Sequence, residues 1–160
     1  MDERVKQAAL ETAAHILQYR NRSRQALYDR LLEKGVPEEA AAYAVARLKE
    51  LGYLNDFEYG KALLRDLAAR GYGARRIRMA LREKNLEPED IEAVMAEYVP
   101  DESRLRILAA AKLEGQIPDR KTLKRTADSL FRRGFSWEEI RAVLRDYAAM
   151  AEDGDDDRIE

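Results

Sequence analysis

The sequence predicts an all-α fold: three tandem three-helix repeats forming an elongated, curved helical array. Three observations predict it. LLEKGVPEEAAAYAVARL at 31–48 returns as LREKNLEPEDIEAVMAEY at 81–98 and as LFRRGFSWEEIRAVLRDY at 130–147, so one pattern recurs at a period near fifty residues. Apolar residues within each copy fall three and four apart, the spacing of one helix face. Charged residues make up 38% of the 160 positions against only eight Gly and four Pro, a composition of solvated helices with few interruptions.

Each element follows in order. Glu3–Tyr19 reads as the first helix, and Ser23 as the cap of the second. Gly35, Asn85 and Gly134 mark the turns of the three copies, because Gly and Asn accept the left-handed backbone that ends a helix. Leu31, Leu81 and Leu130 stand four residues before the turn, and Leu27, Ile77 and Thr126 eight before. Ala41, Ile91 and Ile140 stand six after, Ala44, Val94 and Val143 nine after, and Leu48, Tyr98 and Tyr147 thirteen after. These positions form the predicted core. Pro37, Pro88 and Ser136 open the following helix; Ser136 and Glu139 have capping-box spacing, and Phe135 can staple onto Ile140. Candidate leading helices of the later repeats are Asp56–Arg70 and Asp101–Leu113, with Gly52, Gly71 and Gly115 at the joints. The expected divisions are residues 1–54, 55–99 and 100–150, followed by a tail at 151–160. A helix pair cannot bury its stripe alone, so the repeats are expected to stack.

The tail, EDGDDDRIE at 152–160, carries six acids and one base, which leaves residues 1–151 at +3 although the whole chain is −2. It reads as a disordered, solubilising segment, with an acidic nucleic-acid mimic as the alternative. Cysteine is absent, which excludes disulfides and thiolate metal sites and fits a reducing compartment. MDERVKQAALE contains no apolar signal core, and no run of apolar residues is long enough to span a bilayer, so a cytoplasmic protein is expected.

Catalytic chemistry has little to work with. His15 is the only histidine and reads as a surface or boundary residue. No Gly-rich phosphate loop occurs, and Ser23, Ser103, Ser129 and Ser136 lack a base. Neither an enzyme nor a metal or cofactor site is expected.

The helix before each turn is basic. Residues 70–84 hold Arg70, Arg75, Arg76, Arg78, Arg82 and Lys84 against Glu83 alone. Residues 119–133 hold Arg120, Lys121, Lys124, Arg125, Arg132 and Arg133 against Asp119 and Asp128, and residues 20–34 are milder. Such a stripe suits a phosphate backbone or an acidic protein surface. The candidate face comprises Arg70, Arg75, Arg76, Arg78, Arg82, Lys84, Lys121, Lys124, Arg125, Arg132 and Arg133, and charge reversal of Arg75, Arg76 and Arg78 together would test it. Tyr72 is the candidate stacking residue, whereas Tyr53 and Phe57 read as core. No strong stacking platform for a single strand is expected.

RSRQALYDRLLEKGVPEEAAAYAVARLKELGYLND at 22–56, FEYGKALLRDLAARGYGARRIRMALREKNL at 57–86 and RRGFSWEEIRAVL at 132–144 together resemble the RecX regulatory proteins of bacterial recombination, over about residues 5–148. Gly60 and Asn85 depart from the family pattern, which has Ala and Gly there; Gly60 in a helix interior implies a cost of up to ~1 kcal/mol. The resemblance implies a regulator that binds RecA and its filament on single-stranded DNA, usually inhibiting ATP hydrolysis, strand exchange and coprotease activity; a monomer is expected. Weak direct binding of single-stranded DNA belongs to the same expectation. From the residues alone, a general nucleic-acid-binding repeat protein and a protein adaptor remain open.

Overall fold

The structure is a computed structural model that describes residues 1–115 and 117–151 in full and the backbone alone of 152–159. Nine helices and no strand occur among the described residues: α1 (Glu3–Tyr19), α2 (Arg24–Glu33), α3 (Glu38–Glu50), α4 (Asp56–Ala69), α5 (Ala74–Glu83), α6 (Pro88–Met95), α7 (Glu102–Leu113), α8 (Arg120–Arg132) and α9 (Trp137–Ile159). Helix α9 runs on through 152–159, where a disordered acidic tail is expected, and the side chains of residues 152–160 lie outside the described residues. No helix of the described residues is long and apolar enough to cross a membrane.

The three turns share one backbone geometry. Gly35, Asn85 and Gly134 have φ of 86°, 61° and 101°. Their N–H groups donate three residues back, to Leu32, Arg82 and Phe131 carbonyls at 2.9 Å each. The next residues, Val36, Leu86 and Phe135, donate five back, to Leu31, Leu81 and Leu130 at 3.0, 3.3 and 3.3 Å. This is the Schellman pattern, and it satisfies carbonyls that a helix end otherwise leaves bare. Downstream, Ser136 and Glu139 close the expected capping box, each N–H donating to the other's side chain at 3.0 and 3.1 Å.

The chain divides into two compact units, one of Met1–Leu64 with Ala80–Glu97, the other of Arg65–Met79 with Tyr98–Glu160. Helices α4 and α5 therefore contribute to both. In the first unit α1, α2 and α3 pack on one another around Ala13, Ile16, Leu27, Leu31, Ala41, Ala44 and Leu48. Small residues on α1 and α3 allow that close approach. Leu81, Leu86, Ile91 and Val94 are buried in the same unit. There Gly60 is a packing requirement: a Cβ on it would stand 2.6 Å from Val94 Cγ2 and 3.1 Å from Leu86 Cδ2. In the second unit α7, α8 and α9 enclose Leu105, Ala109, Leu113, Leu130, Phe135, Ile140, Val143 and Leu144.

Every predicted core position is buried except Tyr98 and Tyr147, which are half-buried. Two other expectations are corrected. Tyr53 is 69% exposed, because after the Gly52 turn Leu54 fills the buried place. Phe57 is half-buried, with the Lys61 ammonium 5.1 Å from its ring centre.

Candidate functional site

The second helix of a repeat begins against the turn of the next repeat, and this joint is built twice. In the first unit Ser23 caps α2, accepting from Ala26 N–H at 3.2 Å, and its hydroxyl donates to the Lys84 carbonyl at 2.8 Å. The Arg24 N–H donates to the buried Asp56 carboxylate at 2.8 Å, and the Arg24 guanidinium lies 3.4 Å from Asp56 and 3.6 Å from Asp90. In the second unit Gly73 takes the place of Ser23. Its N–H donates to the Arg133 carbonyl at 2.9 Å, and Arg75 N–H donates to the Gly134 carbonyl at 3.1 Å. A Cβ on Gly73 would meet Gly134 and Phe135 backbone at 2.6 Å, and one on Gly134 would meet Arg76 at 2.5 Å. Two glycines thus let two backbones touch, and first-turn donors of α5 find acceptors without a side chain.

Several residues of the expected basic face are engaged inside the second unit. Arg133 donates to the Gly71 and Arg70 carbonyls at 2.9 and 2.8 Å and lies 4.8 Å from the Tyr72 ring centre. Arg75 donates to the Phe131 carbonyl, and its guanidinium covers the Phe131 ring at 3.7 Å. Arg70 pairs with Asp66 at 3.2 Å, and Arg76 lies 5.9 Å from the Tyr72 ring. Arg78 is half-buried and partnered. Arg82 and Lys84 belong to the first unit, and the Lys84 side chain is half-buried.

Lys121, Lys124, Arg125 and Arg132 are different. All four are exposed on α8 with no partner among the described residues. At 3.6 residues per turn they fall within a sector of about 100° on one side of the helix. Thr126 and Leu130 occupy the other side and are buried. Among the described residues these cations form no ion pair, and Asp128 lies within their sector.

At the edge of that sector stands a stack that sequence reasoning missed. Phe131 and Trp137 lie face to face, ring centres 4.5 Å apart and planes within 11°. The Arg75 guanidinium carbon lies over the same Phe131 ring, 3.7 Å from its centre. Trp137 remains 42% exposed. A signal was present in the aligned copies: Phe131 stands where the others carry Leu32 and Arg82, and Trp137 where they carry Glu38 and Pro88.

Two phenols are perturbed. Burial raises the Tyr98 hydroxyl above its ordinary 10.0, the Glu139 carboxylate adds to this, and a hydrogen bond from Ala74 N–H opposes it. Burial also raises Tyr59, opposed first by Arg20. A cleft of about 690 Å³ in the first unit mixes Arg24 and Lys49 with Glu50, Asp56 and Glu87, so its charge selects no ion of one sign. No cluster of His, Asp or Glu that could hold a metal occurs among the described residues. His15 is exposed and meets Tyr19 edge-on at 5.0 Å.

Repeated three-helix units, joined turn to helix, define an all-α helical-repeat protein. Residues 9–48 match the family model described as RecX, first three-helix domain, and residues 55–95 match RecX, second three-helix domain. The chain belongs to the RecX family of regulatory proteins. It is 35% identical over 141 residues to the regulatory protein RecX of Xanthomonas axonopodis pv. citri (strain 306), covering 87% of each chain. It is 34% identical to that of Stenotrophomonas maltophilia (strain R551-3), covering 87% of this chain and 86% of the relative. The fold is similar to the crystal structure of RecX from Lactobacillus salivarius, with a TM-score of 0.80 at 20% identity, covering 91% of this chain and 97% of that one.

Proposed function

We propose that the chain binds RecA and RecA filaments on single-stranded DNA in the cytoplasm, and restrains ATP hydrolysis, strand exchange and coprotease activity without catalysing a reaction itself. Membership of the RecX family supports the reading. The observation that carries it to particular residues is the set of four exposed, unpartnered cations on α8: Lys121, Lys124, Arg125 and Arg132. A surface charged in this way has its attraction unspent and is available to acidic protein surface or phosphate. Arg75 and Arg133 hold the second unit together, so reversing Arg75, Arg76 and Arg78 would confound loss of binding with loss of structure. The informative variant carries Lys121→Glu, Lys124→Glu, Arg125→Glu and Arg132→Glu.

The test is RecA ATP hydrolysis on single-stranded DNA, titrated with wild type and with this variant. Inhibition well below the amount that coats the DNA, lost in the variant, is the expected result. No effect of the wild type on RecA from the same organism would overturn the functional reading. Inhibition only at coating amounts would replace it with a general nucleic-acid binder.

A further inference from the structure

We infer that the outer face of Trp137 is a stacking site for a nucleobase of single-stranded nucleic acid, with the strand's phosphates held by the cations of α8. The site goes beyond the filament reading, because it concerns contact between this chain and a strand with no recombinase present.

Four observations converge within the second unit. First, the ring of Phe131 is stacked on the indole of Trp137 at 4.5 Å, and the Arg75 guanidinium carbon lies 3.7 Å from the Phe131 ring centre. One face of the indole is against Phe131, no other ring or cation is stacked on it among the described residues, and the residue is 42% exposed. A further layer on the indole would be met by a nucleobase, which is planar, polarisable and sequence-tolerant as a stacking partner.

Second, the turn does not need an indole. The other two copies form the same turn, with the same two hydrogen bonds, carrying Glu38 and Pro88 in the place of Trp137. Phe131 packs against the core of its unit, as Leu32 does in the first, whereas Trp137 belongs to neither core.

Third, the platform is anchored. Trp137 lies within the closed capping box of Ser136 and Glu139, and Arg75 is held by its bond to the Phe131 carbonyl and by the Gly73–Gly134 joint. A preordered surface loses little freedom when a base settles on it.

Fourth, the charge is complementary. Residues 120–133 hold six bases against Asp128 alone. Lys121, Lys124, Arg125 and Arg132 share the α8 sector that borders Phe131, and Arg141, bonded through Nε to the Trp137 carbonyl at 3.3 Å, extends it onto α9. Glu138 is the acid nearest Trp137 in sequence. An acidic peptide would satisfy the cations but would leave the indole face unused; a single strand satisfies both. The combination of a cationic track and an aromatic shelf is what single-strand recognition requires.

Trp137 is the only tryptophan, so its fluorescence reports this site and no other. The experiment titrates the full chain, without RecA, with oligothymidylate and with an abasic strand of equal length, following indole fluorescence and the anisotropy of a labelled strand. The inference expects quenching by oligothymidylate, weaker binding of the abasic strand without matching quenching, and a fall in affinity of about tenfold or more for Trp137→Ala. Trp137→Phe, which keeps a ring on Phe131, should retain part of the affinity and guards against a folding defect. Equal binding of the abasic strand would overturn the inference in favour of phosphate contact alone. Binding with unchanged fluorescence would place the strand elsewhere and overturn it too, as would no binding at all. Quenching by RecA alone but not by oligothymidylate would identify a protein-docking surface, overturning this inference while leaving the filament reading intact.

Discussion

Gly134→Ala should be among the most damaging single-methyl additions in the second unit. Two separate costs arise. The residue has φ of 101°, a backbone that an L side chain adopts only with strain of about 1–2 kcal/mol. The added Cβ would also lie 2.5 Å from both Cβ and N of Arg76, nearly an ångström inside ordinary contact. Arg76 lies on the first turn of α5, so relief requires α5 and the turn to separate. Separation lengthens two hydrogen bonds, Gly73 N–H to the Arg133 carbonyl and Arg75 N–H to the Gly134 carbonyl, each worth about 1 kcal/mol net. The expected loss is about 3–4 kcal/mol. Gly115→Ala is the control, because Gly115 lies in the same unit with φ of 71° and open space around it. It bears only the conformational cost, about 1–2 kcal/mol. Urea unfolding followed by Trp137 fluorescence and far-ultraviolet circular dichroism measures both variants in one transition. If Gly134→Ala is no less stable than Gly115→Ala, the backbone contact does not carry the joint and the reasoning fails.

Three further outcomes are expected. Gly60→Ala should destabilise the first unit, opposite to the gain that helix propensity alone predicts, and Val94→Ala should partly rescue it, because the clash is with Val94 Cγ2; thermal denaturation of the single and double variants checks the sign. Ser23→Ala should cost about 1–2 kcal/mol by removing the cap of α2 and leaving the Lys84 carbonyl without its hydroxyl donor, measured by urea midpoint. Tyr98 has a folded pKa above its unfolded 10.0, so the native state holds the phenolic proton after the unfolded state has released it. Its contribution is present below pH 10.0 and is lost as pH rises through the folded value, so Tyr98→Phe should lose less stability than wild type across that window.

The fold was legible where its causes are local. The three turns could be read from Gly35, Asn85 and Gly134, because left-handed backbone and an apolar residue one place later are properties of a few consecutive residues. Leu27, Leu31, Ile77, Leu81 and Leu130 could be read from their spacing. The surface was legible only as a set of cations. Which of them are free depends on contacts between residues far apart in the chain, such as Arg75 with Phe131 and Arg133 with Arg70, and no helical periodicity encodes those. Gly60 was legible as a departure but not as a necessity, since its reason is the position of Val94. Phe131 and Trp137 look like two more apolar residues of a turn until the equivalent places in the other copies are compared.

The doubled joint differs in what each of its two forms can tolerate. A contact in which one repeat offers the start of a helix and the next offers the back of a turn is head-to-tail. Where Ser23 stands, the contact runs through a side chain: its hydroxyl caps α2 and reaches the Lys84 carbonyl at 2.8 Å, so the spacing leaves room for a short polar group. Where Gly73 stands, it runs through backbone alone, and a Cβ on Gly73 or Gly134 would stand 2.6 or 2.5 Å from the facing segment. The same connection is thus open to rebuilding with another small polar residue in the first unit and closed to any side chain in the second.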